Sequence, residues 1–407
     1  MVIPAGEANR ALQSTRTAQR TFDRLDGTQI QRAGQLARQG HRTATAPVRY
    51  TQRQLMRPFV GAYGLSQDAA QRLLGPGQTT GKQVDNSQTA RQFDDQTVRI
   101  VADGSGDVDE AFRRGVYRAA DDDAIDSYSQ LDRAVRQVDE LDGAQQRRAK
   151  QLVSDTNGAG VKLVDELDET TLTRLLDEDG IDRGQLAHAT RNYGELDGSD
   201  ARQFRQLLDD DGLRQSWIRA AGDGEVSAQS VRVALKQVDA VSNDVSVSEF
   251  RAASTIDVDS DSYYSSWYDS PDNPYHPDTI VIDARAQESL DVYRFWDSGR
   301  TNHEAGPWAT DARDIDRLRQ SGDVTPDDIV NRYALPGDVD KVTRFDVDGG
   351  TDIRISEAGS NYGQSGGGVQ YELRGENMQE LSEQIDISDM PVDRDDPVDI
   401  SEFLGGG

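Results

Sequence analysis

Between Asp103 and Gly224 six Asp-Gly pairs punctuate the chain, beginning at Asp103, Asp142, Asp179, Asp197, Asp211 and Asp223. Glycine supplies the left-handed conformation that closes a helix, and a short polar side chain caps the helix that follows. Apolar residues between the pairs recur at helical spacing: Leu131, Val135, Val138 and Leu141, then Phe204, Leu207 and Leu208, then Val231, Leu235 and Val238. Residues 109–252 therefore read as an acidic α-helical bundle of short helices, without the strict period of a solenoid.

Composition says what solvent such a bundle meets. The 407 residues hold 73 acidic side chains against 45 Lys and Arg, a net charge of -28. Of the acids 56 are Asp and 17 Glu, while the bases are 40 Arg and 5 Lys. Mean hydropathy is -0.74 and only 35% of residues are hydrophobic, so the core has to be assembled from short apolar stretches. The Asp excess and Lys shortage read as adaptation to molar salt, of the haloarchaeal type, where screening mutes repulsion between carboxylates. The acid is spread along most of the chain rather than gathered into a nucleic-acid mimic or a cation site. With no Cys, disulfides, thiolate catalysis and thiolate metal sites are excluded. No apolar run is long enough to span a membrane. The start, MVIPAGEANR, lacks the pattern of a signal peptide. A soluble protein is expected, exported or delivered by a route the sequence does not display.

The charge is uneven. Residues 1–60 hold ten Arg and three acids (Glu7, Asp23, Asp26), a local +7 that leaves -35 for the rest. Residues 1–74 read as a basic helical arm broken near Gly40 and Pro47. Molar salt weakens counterion-driven binding to nucleic acid, so the arm is expected to dock on the acidic body or on a partner. Residues 75–108, opening on Gly75-Pro76-Gly77, read as a linker. Asp103, Ser105, Asp107 and Asp109 are spaced like a calcium loop, but Val108 and Arg114 stand where that loop needs Gly and Glu, and a solvated turn is expected. Residues 253–278 read as a second linker. The texture then turns to β-strand at 279–283, 342–347, 352–355 and 368–374. The fold class expected is thus multidomain: α-helical N-terminal and middle regions, then a small α+β domain over 279–383 with a mostly antiparallel sheet. An acidic, Gly-ended tail over 384–407 is expected to be loosely held.

The helical middle offers no chemistry: it has one His, His188, and neither metal-ligand spacing nor a phosphate loop. The C-terminal region differs. Gly366-Gly367-Gly368 runs straight into Val369-Gln370-Tyr371-Glu372-Leu373-Arg374. Alternation sends Val369, Tyr371 and Leu373 to one face and Gln370, Glu372 and Arg374 to the other. An amide and a carboxylate then stand beside a glycine floor that lets a ligand approach the backbone.

Further residues precede this run in order: Tyr293-Arg294-Phe295-Trp296, Gly306-Pro307-Trp308, Arg332-Tyr333-Ala334-Leu335-Pro336, and Asn361-Tyr362-Gly363-Gln364-Ser365-Gly366-Gly367-Gly368-Val369-Gln370-Tyr371. Over residues 291–375 this set resembles the tuberculosis necrotizing toxin family of NAD glycohydrolase domains, which end polymorphic toxins. That family runs from an aromatic-flanked Arg, through an Arg-x-Leu-Pro-like stretch, to a terminal GQ-x-GGG-x-QY. The family's His in the strand before the glycine loop is absent, since the strand reads Thr343-Arg344-Phe345. One extra residue precedes Leu335-Pro336.

The resemblance implies that Arg294 holds the NAD pyrophosphate, as suits a planar multi-donor cation. It implies that Gln370 is the catalytic glutamine, orienting the nicotinamide ribose or the attacking water. Gly366, Gly367 and Gly368 would let the dinucleotide lie on the backbone, with Arg332 beside them. Phe295, Trp296 or Tyr362 would stack on nicotinamide or adenine. NAD(P) is substrate, no cofactor or metal is required, and a cognate immunity protein is the expected partner. Three other readings compete: an ADP-ribosyltransferase using Arg294, Thr310 and Gln370-x-Glu372; a nuclease with His303 or His276 as base, disfavoured by the lack of a basic surface; and a non-enzymatic, salt-adapted structural or interaction module.

Overall fold

The abundant short carboxylates have a local use at helix starts. In the computed structural model Asp94 accepts from the Thr97 N–H at 2.7 Å, Asp142 from those of Ala144 and Gln145, and Asp182 from that of Gln185. Each such cap is worth about 1 kcal/mol. The structure describes residues 54–75, 80–122, 125–256, 274–299, 308–320, 324–335, 337, 339–374 and 392–405. Most of the expected basic arm, the bulk of the 253–278 linker, His303, Gly306, Pro307 and Pro336 lie outside them. The chain divides into two units, Met1–Asp177 and Glu178–Gly407.

The elements described in the first unit are helices. Residues 54–61 form a helix, followed by α1 (Gln67–Leu74), α2 (Thr80–Ala90), α3 (Asp95–Asp103), α4 (Asp107–Ala119), α5 (Tyr128–Glu140), α6 (Gly143–Thr156), α7 (Gly158–Glu166) and α8 (Glu169–Asp177). The 75–108 segment is therefore not a linker: α2 and α3 occupy it, and Val98 and Val101 are buried. Its apolar residues are few, but they fall on one helical face. The C-terminal part of the arm also belongs to this unit, since Leu55, Phe59, Leu73 and Leu74 are buried in its core. Leu131, Val135 and Val138 are buried on α5, as their spacing requires.

The second unit opens with α9 (Arg183–Gly194), α10 (Gly198–Asp209), α11 (Arg214–Ala221) and α12 (Ala228–Val241). Next comes β1 (Val245–Ala252), a strand at the end of the segment read as wholly helical. Trp217 of α11 joins Phe204 of α10 to Phe250 of β1, with ring centroids 5.2 and 4.9 Å apart. The sheet continues with β2 (Ile280–Ala286), β3 (Leu290–Trp296), β4 (Trp308–Asp311), β5 (Lys341–Val347), β6 (Asp352–Glu357), β7 (Val369–Arg374), β8 (Val392–Arg394) and β9 (Val398–Asp399). Helices α13 (Ala312–Gln320) and α14 (Pro326–Arg332) separate β4 from β5.

Every pairing among these strands is antiparallel, in the order β1-β2-β6-β7-β4-β3-β5-β8, with β9 also on β5. Helical regions followed by an α+β domain with an antiparallel sheet are thus the architecture of the chain. The described part of the tail is not loose: β8 and β9 cover the β5 edge. Ile400 of the closing helix α15 (Ile400–Gly405) is buried with Phe295, Ile315, Ile329 and Val342. Acidic residues fill the exposed positions there, which hid an edge strand in a tail-like composition.

Candidate functional site

Antiparallel register places two rows of side chains on one sheet face. In the first, Ser356 of β6 faces Gln370 of β7, Gln370 faces Thr310 of β4, and Thr310 faces Tyr293 of β3. In the second, Asp283 of β2 faces Arg354, Arg354 faces Glu372, and Glu372 faces Trp308. Since side chains two residues apart share a face, the rows are adjacent. The first opens into a cleft and the second is sealed.

The cleft encloses about 770 Å³, its open mouth included, and is lined by Pro274, Tyr293, Arg294, Phe295, Trp308, Ala309, Thr310, Tyr333, Ala334, Leu335, Ala358, Gly359, Asn361, Tyr362 and Gln370. Among the described residues of this lining Arg294 is the one that is formally charged, although the chain carries a net -28. Its Nη1 donates to the Trp308 carbonyl at 2.6 Å, which fixes the guanidinium at the wall. Low-polarity aromatic walls strengthen its pull on an anion.

Gln370 is buried, and its Nε2 donates to the Pro274 carbonyl at 3.0 Å and to Ser356 Oγ at 3.3 Å. A carbonyl can only accept, so the amide nitrogen must face Pro274. The Oε1 therefore turns the other way, and it makes no hydrogen bond among the described residues. The result is an acceptor held in one orientation at the cleft.

Backbone strain gathers at the same place. Three non-glycine residues among those described have positive φ, and two of them, Ala334 (49°) and Tyr362 (51°), line the cleft. Such conformations cost about 1–2 kcal/mol for a residue with a Cβ and concentrate at functional sites. Tyr362 also keeps 39% of its surface exposed, unusual for so large a ring.

The structure thus brings together Arg294, Phe295, Tyr362 and Gln370, four of the residues singled out by sequence. Others stand elsewhere. Trp296 lies outside the lining, its Nε1 donating to Thr343 Oγ1 at 3.0 Å. Arg332 is held by Asp314 at 3.1 Å, and Tyr333 Oη donates to the same carboxylate at 2.7 Å. Burial would lower the Arg332 pKa, but the Asp314 charge outweighs it and the net shift is upward. Burial, followed by the Asp314 charge, pushes the Tyr333 phenol up, so it remains a donor.

The glycine run is not a ligand floor. The N–H groups of Gly366, Gly367 and Gly368 donate to Asn331, Ala358 and Arg332 carbonyls at 3.0, 2.8 and 2.8 Å, leaving none for a phosphate. A Cβ on Gly366 would stand 2.4 Å from the Ala358 oxygen, and one on Gly368 would stand 2.4 Å from the Tyr333 ring. These glycines seat the loop against the end of α14 and let Tyr333 reach the cleft. Glu372 is fully buried, accepting from Tyr275 Oη at 2.5 Å and from Arg354 Nη1 at 3.4 Å.

Tyr293, Trp308, Thr310 and Tyr333 lie in motifs that the sequence displays, but only the register shows that they share a cleft. Asn361 opens the quoted glycine motif without a role assigned to it, and Pro274 has no signal in the sequence, since its part depends on a contact between distant segments.

Among the described residues no group of His, Asp and Glu is arranged to hold a metal ion, and no helix is long and apolar enough to cross a membrane. No protein-family model, curated protein or solved structure matches the chain.

Proposed function

We propose that the C-terminal unit hydrolyses NAD(P) to nicotinamide and ADP-ribose or its 2′-phosphate, as the toxin domain of a delivered effector. The observation that carries this reading is the presence, in one aromatic-walled cleft, of Arg294, the one charged residue among the described lining, together with an oriented amide, Gln370. A dinucleotide offers the matching chemistry: an anionic pyrophosphate, planar rings and ribose hydroxyls.

Arg294 would neutralise the pyrophosphate. Tyr362, Phe295 or Trp308 would stack on the nicotinamide or adenine ring. The bond between ribose C1′ and the nicotinamide nitrogen then breaks, and its electron pair leaves with the ring, which loses its positive charge. The ribosyl cation left behind is stabilised by the negative end of the Gln370 amide dipole, which also orients a hydroxyl or the entering water. Water adds to C1′ and releases a proton to solvent, which balances the reaction. None of these steps calls on a thiol.

Burial of Glu372 weighs against ADP-ribosyl transfer, because that reaction needs a carboxylate that reaches the acceptor or the ribose. Product analysis separates the two. Full-length protein in molar KCl with labelled NAD should yield free ADP-ribose with no acceptor protein added. Label on protein instead, lost in Glu372→Ala but retained in Gln370→Ala, would favour transfer. Intact NAD would favour the non-enzymatic module.

A host making such an enzyme requires protection, so an immunity protein covering the exposed Tyr362 rim belongs to the same proposal. Full activity in the presence of the neighbouring gene's product would count against that partner.

A further inference from the structure

The sealed row beside the cleft contains more charge than packing alone requires. Arg354 and Glu372 are both fully buried. Arg354 Nε donates to Asp283 Oδ1 at 2.7 Å, and its Nη1 donates to Tyr275 Oη at 3.0 Å. The Tyr275 phenol in turn donates to Glu372 Oε2 at 2.5 Å. Burial and then the Glu372 charge push this phenol well above its ordinary range, so it stays protonated and remains a donor. Burial would lower the Arg354 pKa, but the Asp283 hydrogen bond and the surrounding acidic groups outweigh that, and the net shift is upward.

This network ends at the cleft. Tyr275 follows Pro274, whose carbonyl accepts both Gln370 Nε2 at 3.0 Å and the Gly359 N–H at 2.8 Å. Tyr275 also forms a β-bridge with Ala358, and its ring meets Trp308 edge-on at 5.8 Å. Two charged groups, Arg354 of β6 and Glu372 of β7, thus converge on the Tyr275 phenol, and Asp283 of β2 holds Arg354 from behind. That phenol belongs to the residue directly after the carbonyl that accepts from the Gln370 amide.

We infer that Tyr275, Arg354 and Glu372 are positioning residues for Gln370: they clamp the Pro274 carbonyl so that Oε1 alone faces the cleft. This inference rests on the NAD-cleaving reading for its kinetic consequence but not for its geometric one. A misplacement of about 1 Å in a positioned group costs up to about 100-fold in rate. The loss of one hydroxyl that acts through a carbonyl is expected to cost about 10-fold, in kcat rather than in KM.

The test uses full-length protein in molar KCl, labelled with nitrogen-15 in glutamine side chains. The Gln370 amide signal is assigned by its loss in Gln370→Glu. In wild type its two protons should be distinct and protected from exchange. In Tyr275→Phe, which keeps the ring, they should move together and exchange faster. The kcat for nicotinamide release should fall about 10-fold while KM stays within about 2-fold.

Glu372→Gln keeps an acceptor for the phenol, so its loss should be no deeper than that of Tyr275→Phe. An unchanged Gln370 signal and unchanged kcat in Tyr275→Phe would overturn the inference. A Glu372→Gln loss as deep as that of Gln370→Ala would also overturn it, by marking Glu372 as a group that touches substrate. If wild type releases no nicotinamide, the functional reading fails, and the amide signal alone then decides the positioning role.

Discussion

Gln370 Nε2 donates to the Pro274 carbonyl at 3.0 Å across 96 residues of sequence. This one contact decides which end of the amide a ligand meets. A glutamine on a strand face can present either atom, and here an acceptor-only partner leaves the oxygen for the cleft. An amide oxygen suits a developing cation, whereas an amide N–H would repel it.

Arg294 is the one charged residue among the described lining of the cleft, so its loss should act on binding. Arg294→Ala is expected to raise KM for NAD about 10-fold or more, equivalent to roughly 1.4 kcal/mol or more. Arg294→Lys should recover little, since a point charge cannot hold the Trp308 carbonyl and a pyrophosphate oxygen in one plane. Steady-state kinetics at fixed salt checks both variants.

Tyr362 separates strain from function. Tyr362→Gly removes the cost of φ 51° but gains unfolded-state entropy. The two offset, and the thermal midpoint should stay within about 2 °C. The lost ring should nevertheless weaken NAD binding several-fold, as read by titration of the protein with NAD. A fall in midpoint with unchanged binding would make Tyr362 a structural residue.

Glu357 gives the pH dependence. Burial first, then the Asp278 charge, raises its pKa above the ordinary 4.5, against a lowering influence of His276. A carboxyl with a raised folded pKa adds stability that is fully present below the unfolded value and lost as pH rises through the folded one. Wild type should therefore lose thermal stability over the window that starts near 4.5 and extends upward. Glu357→Gln should lack that decline and melt about 2–4 °C higher at neutral pH. Parallel scans of both proteins across the window provide the check.

The order of helical and β regions was legible because it rests on local periodicity. Leu131, Val135 and Val138 announce a helix face, and Val342 to Val347 announce a strand. Arg294, Phe295, Tyr362 and Gln370 were legible through an ordered set of short motifs. The sequence could not show what depends on distant pairing. Ser356, Gln370, Thr310 and Tyr293 form one row only because β6, β7, β4 and β3 are neighbours out of chain order. The glycine run looked like a ligand floor because glycine admits close approach from any partner. Here the partners are Tyr333 and the Ala358 carbonyl. Glu372 shares a face with Gln370, as alternation requires, yet Tyr275 and Arg354 seal it from the cleft.

The most direct measurement is nicotinamide release from NAD by the full-length protein in molar KCl, comparing wild type with Gln370→Ala and confirming that both bind NAD. Wild type should release nicotinamide and ADP-ribose in equal amounts. Gln370→Ala should lose about 100-fold or more in kcat while still binding NAD. No release by folded wild type, or equal release by Gln370→Ala, would contradict the assignment of this cleft as an NAD-cleaving site.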